Sequence, residues 1–332
     1  MAIRNVMRAK EVDIKEDQYL LEVSAMVCNR IHRITGKFGR LLARHLLQTP
    51  NVHLRGYARD PSRVPSALTD SPRLKLFQGE AFDDAAIKPF VSGCDVVVCA
   101  YLGNDDLMIE GQKKLIEACE EAGVPRYVAS DWALDYTKLK LGELFPKDPM
   151  IHVKAYLETK KTTKGVHILI GGFMDPLLSP FFRVWDPETK TLRYWGEGDE
   201  PWEGTSYNNA AEFTAAVIAD TSAVGIKKYL GDRKSIREIA GAFKTVYGIE
   251  PKLERLGSLD DLYKRMHALR ADNPSDIYGY MSLFFMYYWI NGQTFVGPDT
   301  DNEQYPQVKP ETWEEFLNKR TLDQLPHAYF SL

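Results

Sequence analysis

The chain is poor in cysteine and carries almost balanced charge. Its four cysteines, Cys28, Cys94, Cys99 and Cys119, form no C-x-x-C pair and have no histidine partner at zinc spacing. Neither a disulfide framework nor a metal site is therefore expected. Three of the four lie in or beside apolar stretches, the usual place of small buried thiols in a reducing compartment. The 42 lysines and arginines nearly offset 46 acidic residues, leaving a formal net charge of −4 and no basic block. Nucleic acid and anionic membranes attract such blocks, so neither is an expected partner. No apolar run approaches the roughly 20 residues that a membrane span needs. Residues 1–23 alternate charges around no apolar core, which is not the pattern of a secretory signal. There is no internal repeat and no low-complexity segment. The expectation is a cytoplasmic globular protein, and its 332 residues suffice for one large α/β domain or two smaller ones.

Against these absences stands Thr35-Gly36-Lys37-Phe38-Gly39-Arg40, followed at once by the amphipathic run Leu41-Leu42-Ala43-Arg44-His45-Leu46-Leu47. Glycine lets backbone approach a phosphate because no Cβ intervenes. A helix beginning there aims its free N–H groups and the positive end of its dipole at the same point. In a strand–turn–helix, that is an anion site and usually holds a dinucleotide pyrophosphate. A helix cap or a packing glycine also produces G-x-x-G, and Arg33 stands where a third glycine would complete the pattern. Upstream, Ser24-Ala25-Met26-Val27-Cys28 reads as a first strand. It runs into Asn29-Arg30-Ile31-His32-Arg33, which is too polar for the end of a central parallel strand.

Val52 to Ala58 reads as a second strand and ends in Arg59-Asp60-Pro61-Ser62-Arg63. In a dinucleotide fold this point meets the adenosine ribose, where an acid accepts the 2′-hydroxyl of NAD and an arginine accommodates the 2′-phosphate of NADP. Arg59 and Arg63 therefore point to NADP(H) through guanidinium–phosphate pairing. Taken alone, Arg59 reads equally as a solvated loop charge, and Asp60 as the cap of the next turn. Leu74 to Gly79 is a third strand, Asp83 to Val91 a helix, and Asp95 to Tyr101 a strand apolar along its length, as one covered on both faces should be. Ile109 to Gly123 is a helix ending at glycine, and Val124 to Ser130 the next strand. This alternation predicts an α/β chain with a Rossmann-like, doubly wound parallel sheet.

Several stretches now act as a set: Ile34-Thr35-Gly36-Lys37-Phe38-Gly39, Gly56-Tyr57-Ala58-Arg59-Asp60-Pro61-Ser62, Ser130-Asp131-Trp132, Val153-Lys154-Ala155, Gly165-Val166-His167-Ile168-Leu169, Arg193-Tyr194-Trp195-Gly196-Glu197-Gly198-Asp199 and Gly231-Asp232-Arg233-Lys234-Ser235-Ile236. Together they resemble the NmrA-like, isoflavone-reductase-like branch of the atypical short-chain dehydrogenases, in particular its fungal members. The resemblance runs from residue 34 to about 320 and departs at Arg33, where the family has glycine. Residues 1–23 read as a polar N-terminal extension, and the resemblance implies an NAD(P)-binding Rossmann domain over 24–172. A smaller C-terminal α+β substrate lobe over 173–332 is partly interleaved with that domain. It implies NADP(H) held by Thr35, Gly36, Lys37, Phe38, Gly39, Arg59, Arg63, Ser130, Lys154, Gly172 and Phe173. Lys154, expected to open a helix that runs towards Gly165, would lie near the nicotinamide and ribose as the catalytic residue. Gly171 and Gly172 would let the nicotinamide ring approach backbone, or would simply end a strand.

A rival pair, Tyr156 and Lys160, spells the Y-x-x-x-K of standard short-chain dehydrogenases and shares one helical face. Its spacing to Gly165 puts it too close to the next strand. With Lys154 as the family lysine, the tyrosine position falls on Met150, which has no proton to give. Asp131 and Asp135 could orient Lys154 or cap turns; His152 could enter the pocket or stay on the surface, and His167 reads as structural. The aromatic-rich stretch Ile277 to Asn291 is packing or the wall of a substrate cleft. The expected function is that of an NADPH-dependent reductase acting on a hydrophobic aromatic or polyketide-like small molecule, which the resemblance places in fungal secondary metabolism, as a monomer or homodimer. The alternatives are an NmrA-type regulator that binds a dinucleotide without turnover and a non-redox isomerase or cyclase on the same fold.

Overall fold

A computed structural model of the chain describes residues 21–26, 36–50 and 52–328. In chain order the first half runs β1 (Leu21–Met26), α1 (Lys37–Gln48), β2 (Val52–Ala58), α2 (Ser66–Thr69), β3 (Leu74–Gln78), α3 (Asp84–Val91), β4 (Val96–Cys99), α4 (Gln112–Ala122), β5 (Arg126–Val128), α5 (Asp148–Glu158) and β6 (Lys164–Leu169). The second half runs β7 (Gly172–Phe173), α6 (Met174–Leu177), β8 (Trp185–Asp186), β9 (Thr191–Trp195), β10 (Pro201–Thr205), α7 (Tyr207–Ala219), β11 (Gly225–Lys228), β12 (Asp232–Ser235), α8 (Ile236–Tyr247), β13 (Lys252–Gly257), α9 (Leu259–Asp272), α10 (Ile277–Ile290) and α11 (Trp313–Asn318).

Seven strands pair in parallel in the order β11-β6-β5-β4-β1-β2-β3. The chain leaves β1 towards β2 on one side and later returns to β4 on the other. This reversal opens a crevice at the carboxyl ends of β1 and β4, the place where such sheets bind ligands. The apolar run of β4 shows why the sheet is covered on both faces. Val96 and Val98 join a core with Leu42 of α1 and Phe213 of α7, while Val97 and Cys99 join a second core with Phe90, Leu115 and Val153 of α3, α4 and α5. Successive strand residues point to opposite faces, so one four-residue strand supplies both layers. Full burial of rings such as Phe90 and Phe213 stabilises each layer by about 1.5–3 kcal/mol per side chain.

Local signals set the helix ends. Asp83 caps α3 by accepting from the Ala86 N–H at 3.1 Å, and Gly123 ends α4 in the left-handed conformation with φ 74°. Two boundaries differ from expectation. β1 begins at Leu21, inside the stretch assigned to the polar extension, because parallel pairing to Val52 of β2 starts there; the polar residues 27–35 lie outside the described residues. Lys154 does not open its helix but lies in the middle of α5, which starts at Asp148 with Pro149 in its first turn, a position that suits proline because no amide partner is lost there.

Two small sheets, β12-β10-β7 and β13-β9-β8, build the rest. β11 is contributed by this later part of the chain and adds to the edge of the large sheet. The carboxylate of Glu203 on β10 accepts from the Val296 and Gly297 amides at 2.5 and 3.0 Å, fixing the segment after α10. No helix among the described residues is long and apolar enough to cross a membrane.

Candidate active site

α1 starts at Gly36, whose backbone is extended (φ −70°, ψ 141°), and its first turn has neither a side-chain cap nor an acidic residue. A first turn without an acidic residue leaves the positive end of the helix dipole uncompensated from within the helix. Beside it, β2 ends at Ala58 and delivers Arg59, half-buried, with Nε 3.9 Å from Glu80 Oε2. Arg63 follows on an exposed turn that Asp60 caps by accepting from the Ser62 N–H at 3.1 Å. β1 and β2 pair directly, so Arg59 leaves the sheet next to the end of β1. An open helix start beside two arginines is the donor set that a dinucleotide with an extra phosphate needs. Lys37, Phe38 and Gly39 fill the first turn of α1; Thr35 and Arg33 lie outside the described residues. Burial lowers the pKa of Lys37 to about 8, helped by Arg40 and opposed by the carboxylate of Asp175.

Four aromatic rings gather next to this turn. The Phe38 ring lies 4.2 Å from Trp132 and 6.2 Å from both Phe173 and Tyr207, and Phe173 stacks on Tyr207 at 3.8 Å with 6° between planes. Phe38, Phe173 and Tyr207 remain half-buried, so they line a surface and do not close a core. Trp132 donates its indole N–H to Thr214 Oγ1 at 2.9 Å, and its backbone φ of 30° is one that side-chain-bearing residues seldom adopt. Such strain is held only where the surroundings fix it. Tyr207 donates its amide N–H to Asp175 Oδ2 at 2.8 Å, and Arg320 donates to Oδ1 at 3.1 Å. Burial raises the pKa of Asp175 to about 6 against those hydrogen bonds. The room beside Gly172 is taken by the Trp289 indole, into which a Cβ would project, while Gly171 turns the chain at φ 66° against the Glu203 carbonyl. Ser130 is buried; its hydroxyl donates to the Tyr101 carbonyl at 2.7 Å and its amide to Gln112 Oε1 at 3.1 Å.

The opposite layer carries the charge. Lys154 is 25% exposed and pairs with Glu158 one turn on. Asp131 does not orient it. Asp131 Oδ2 instead lies 2.7 Å from His167 Nδ1 and accepts from the Tyr136 hydroxyl at 3.0 Å. Tyr136 is held far above its ordinary pKa by burial and then by Asp131. Asp135 faces Lys228 and Lys138 at 3.2 and 3.5 Å. Tyr156 and Lys160 both bind the Glu117 carboxylate, with the ammonium 3.8 Å from the tyrosine ring centroid. His152 is exposed.

A family model described as NAD(P)H-binding matches residues 34–168. An NmrA-like family domain-containing oxidoreductase of Gibberella moniliformis is 27% identical over 237 residues, 64% of this chain and 78% of that protein. The chain thus carries an NAD(P)H-binding domain and is similar to an NmrA-like oxidoreductase. The crystal structure of isoflavone reductase superposes with a TM-score of 0.72 at 20% identity, covering 90% of this chain and 99% of that one. Leucoanthocyanidin reductase of Vitis vinifera, solved with NADPH, gives 0.70 at 17% identity over 89% and 98%. The NADPH-dependent quinone oxidoreductase of Escherichia coli gives 0.69 at 17% identity over 89% and 99%. At these identities the structures establish the fold, which is the Rossmann-like one expected.

Of the residues expected from the sequence, Gly36 lies at the start of α1, Arg59 directly after β2, and Phe173 beside the Phe38 ring. Sequence reasoning missed Trp132, Tyr207 and Asp175 as neighbours of the Phe38 and Phe173 rings, because their meeting depends on β7 pairing with β10 and on α7 packing against α1. It also missed Lys147, just before α5. Protein packs around its ammonium closely enough that burial lowers its pKa to about 8, opposed by Asp131, although part of the residue's surface stays exposed. A lysine directly before an Asp-Pro helix start was the one available hint. No group of three or more histidine, cysteine, aspartate or glutamate residues that could hold a metal ion occurs among the described residues.

Proposed function

We propose that the protein is an NADP(H)-dependent oxidoreductase that reduces a hydrophobic aromatic or polyketide-like small molecule, in fungal secondary metabolism. The carrying observation is the uncapped start of α1 beside Arg59 and Arg63, continued by the half-buried rings of Phe38, Phe173 and Tyr207. In this reading the domain over 24–172 holds the cofactor and the lobe over 173–332 chooses the substrate. The amides of Lys37, Phe38 and Gly39 take the pyrophosphate, with Thr35 beside them, and Arg59 and Arg63 take the 2′-phosphate. Ser130, Gly172 and Phe173 bound the nicotinamide half. NADPH, when bound, supplies the hydride. Lys154 leaves Glu158 to hold the ribose hydroxyls and to steady the substrate oxygen as it gains charge. The aromatic rings keep water from that oxygen.

Titrating the full chain with NADPH and NADH, then following NADPH oxidation over a panel of phenolic and enone substrates, tests this. Binding that favours NADPH, together with turnover of at least one panel member, is expected. Arg59→Asp should cut the preference for NADPH by about 10- to 100-fold, the worth of one or two charged hydrogen bonds. Absence of NADPH binding would overturn the reading.

One set of observations favours a dinucleotide-binding regulator instead. Lys154 is already engaged by Glu158, and a buried Met150 stands at the family's tyrosine position. NADPH binding without consumption on any substrate, together with recovery of a transcription factor in a pull-down, would decide for it.

A further inference from the structure

Phe173 and Tyr207 lie face to face, with ring centroids 3.8 Å apart and 6° between their planes. Carbon atoms in contact sit about 3.5–4.0 Å apart, so two near-parallel rings at that separation overlap almost fully. Aromatic pairs prefer an offset or edge-to-face arrangement with centroids about 4.5–7 Å apart, because the negative π-faces of two such rings repel. The stacked pair Phe213 and Tyr229 keeps to that range at 4.6 Å and is fully buried. Phe173 and Tyr207 are both half-buried, so water exclusion holds them together less firmly. The face of Phe173 is thus covered by a ring that an electron-poor one would replace to advantage.

The backbone around Tyr207 is fastened. The residue is the first of α7. Its amide donates to Asp175 Oδ2 at 2.8 Å, the Ser206 hydroxyl accepts from the Asn209 N–H at 3.2 Å, and the Asn209 side chain accepts from the Glu311 amide at 3.0 Å. A change of side-chain rotamer moves the ring and breaks none of these bonds. Trp132 is the fixed counterpart, buried, 4.2 Å from Phe38 and held by its indole bond to Thr214 at 2.9 Å.

We propose that Tyr207 is a gate on the Phe173 face: an electron-poor flat ring, the nicotinamide of the cofactor, binds there by displacing the Tyr207 ring. The identity of that ring rests on the reductase reading. Phe38 belongs to the first turn of α1, and its ring lies 6.2 Å from both Phe173 and Tyr207. One ribose separates a nicotinamide from its diphosphate, so a dinucleotide fastened at that turn carries its ring to Phe173. A pyridinium gains further, because its positive charge is drawn to a π-face. Every dinucleotide first meets the cost of unstacking Tyr207, and the affinity observed is that of the open form reduced by the fraction of molecules that are open.

The test is calorimetric titration of the full chain with NADPH and with adenosine 2′,5′-bisphosphate, which keeps the 2′-phosphate and lacks the nicotinamide. Tyr207→Ala removes the gate, Tyr207→Leu keeps most of its volume without a flat ring, and Tyr207→Phe keeps the stack. Circular dichroism establishes which variants fold. The alanine and leucine variants should bind NADPH about three- to tenfold more tightly than the wild type, the worth of one aromatic stack, and the bisphosphate within about twofold of it. Tyr207→Phe should stay within about twofold for both ligands; tightening there would put the obstacle in the hydroxyl and overturn the gate. NADPH binding unchanged or weakened in folded Tyr207→Ala or Tyr207→Leu overturns the gate and leaves the oxidoreductase reading standing. Equal tightening of both ligands overturns it as well, because the ring then opposes something other than the nicotinamide. NADPH binding by none of the four proteins sinks both.

Discussion

Asp131 and Trp132 are neighbours in sequence and belong to opposite layers of the molecule. Trp132 packs with the α1–α7 core against Phe38 and donates to Thr214. Asp131 turns to the α3–α5 side, where Tyr136 and His167 meet it. One layer at the sheet's carboxyl edge is thus aromatic and hydrogen-bonded through an indole, and the other carries lysines, a carboxylate and a histidine. The difference teaches that two successive residues beyond the end of a strand, the second at φ 30°, can split a site into two jobs: shaping flat rings on one side, handling protons and charge on the other.

The largest effect expected from breaking this division is on the charged side. Lys154→Ala should lower turnover by roughly 10²- to 10⁴-fold, the range for a positioned proton-handling group. It should leave unfolding stability within about 0.5 kcal/mol, because its partner Glu158 is 64% exposed and such pairs contribute little. Steady-state kinetics beside urea unfolding would separate the two, and undiminished turnover would remove Lys154 from the chemistry. Next in size is the aromatic side. Trp132→Ala should cost about 3–5 kcal/mol of stability, as large core truncations do, and urea unfolding would read it. A loss below 1 kcal/mol would mean that the rings rearrange and that the wall is not a fixed element.

How much of this was legible in the sequence follows the same division. β2 occupies the residues expected, because an apolar run bounded by turn residues has few other ways to be satisfied. The Gly36 turn and Arg59 were readable as well, since both depend on neighbours within a single strand–turn–helix unit. Trp132, Tyr207 and Asp175 were not, because they come together only when β7 pairs with β10 and α7 packs against α1. The start of α5 was misplaced because the functional expectation for Lys154 outweighed the Asp148-Pro149 start signal. The role of Gly172 as the seat of the Trp289 indole could not be seen at all, for the two residues are brought together by α10.

A pH series sharpens the comparison from the aromatic side, where Asp175 holds the Tyr207 amide. Burial raises its pKa from 3.8 to about 6 in the folded chain. The folded state therefore binds the proton more tightly than the unfolded state, and stability is lost as pH rises between those values. Two pKa units correspond to about 3 kcal/mol. Asp175→Asn should remove that slope, so its unfolding free energy should change less than the wild type's between pH 4 and 6.5. Equal slopes in both proteins would show that Asp175 is not held protonated by its surroundings.

The smallest expected effect is the most discriminating for the assignment of roles. Tyr156 and Lys160 have the spacing of a catalytic pair, Tyr156 on the same helix as Lys154 and Lys160 just beyond its end, yet both are spent on Glu117, a residue 47% exposed on α4. Tyr156 also borders a surface hollow of about 440 Å³ between α3, α4 and α5. The Tyr156 hydroxyl is turned by the Glu117 contact towards α4. Tyr156→Phe should therefore keep turnover within about twofold and change stability by no more than about 1 kcal/mol, the worth of an exposed polar contact. The measurement is a kcat and KM pair on whichever substrate the panel yields. A fall in kcat of tenfold or more, with KM unchanged, would make the tyrosine part of the chemistry and would move the proton-handling role from the middle of α5 to its outer face.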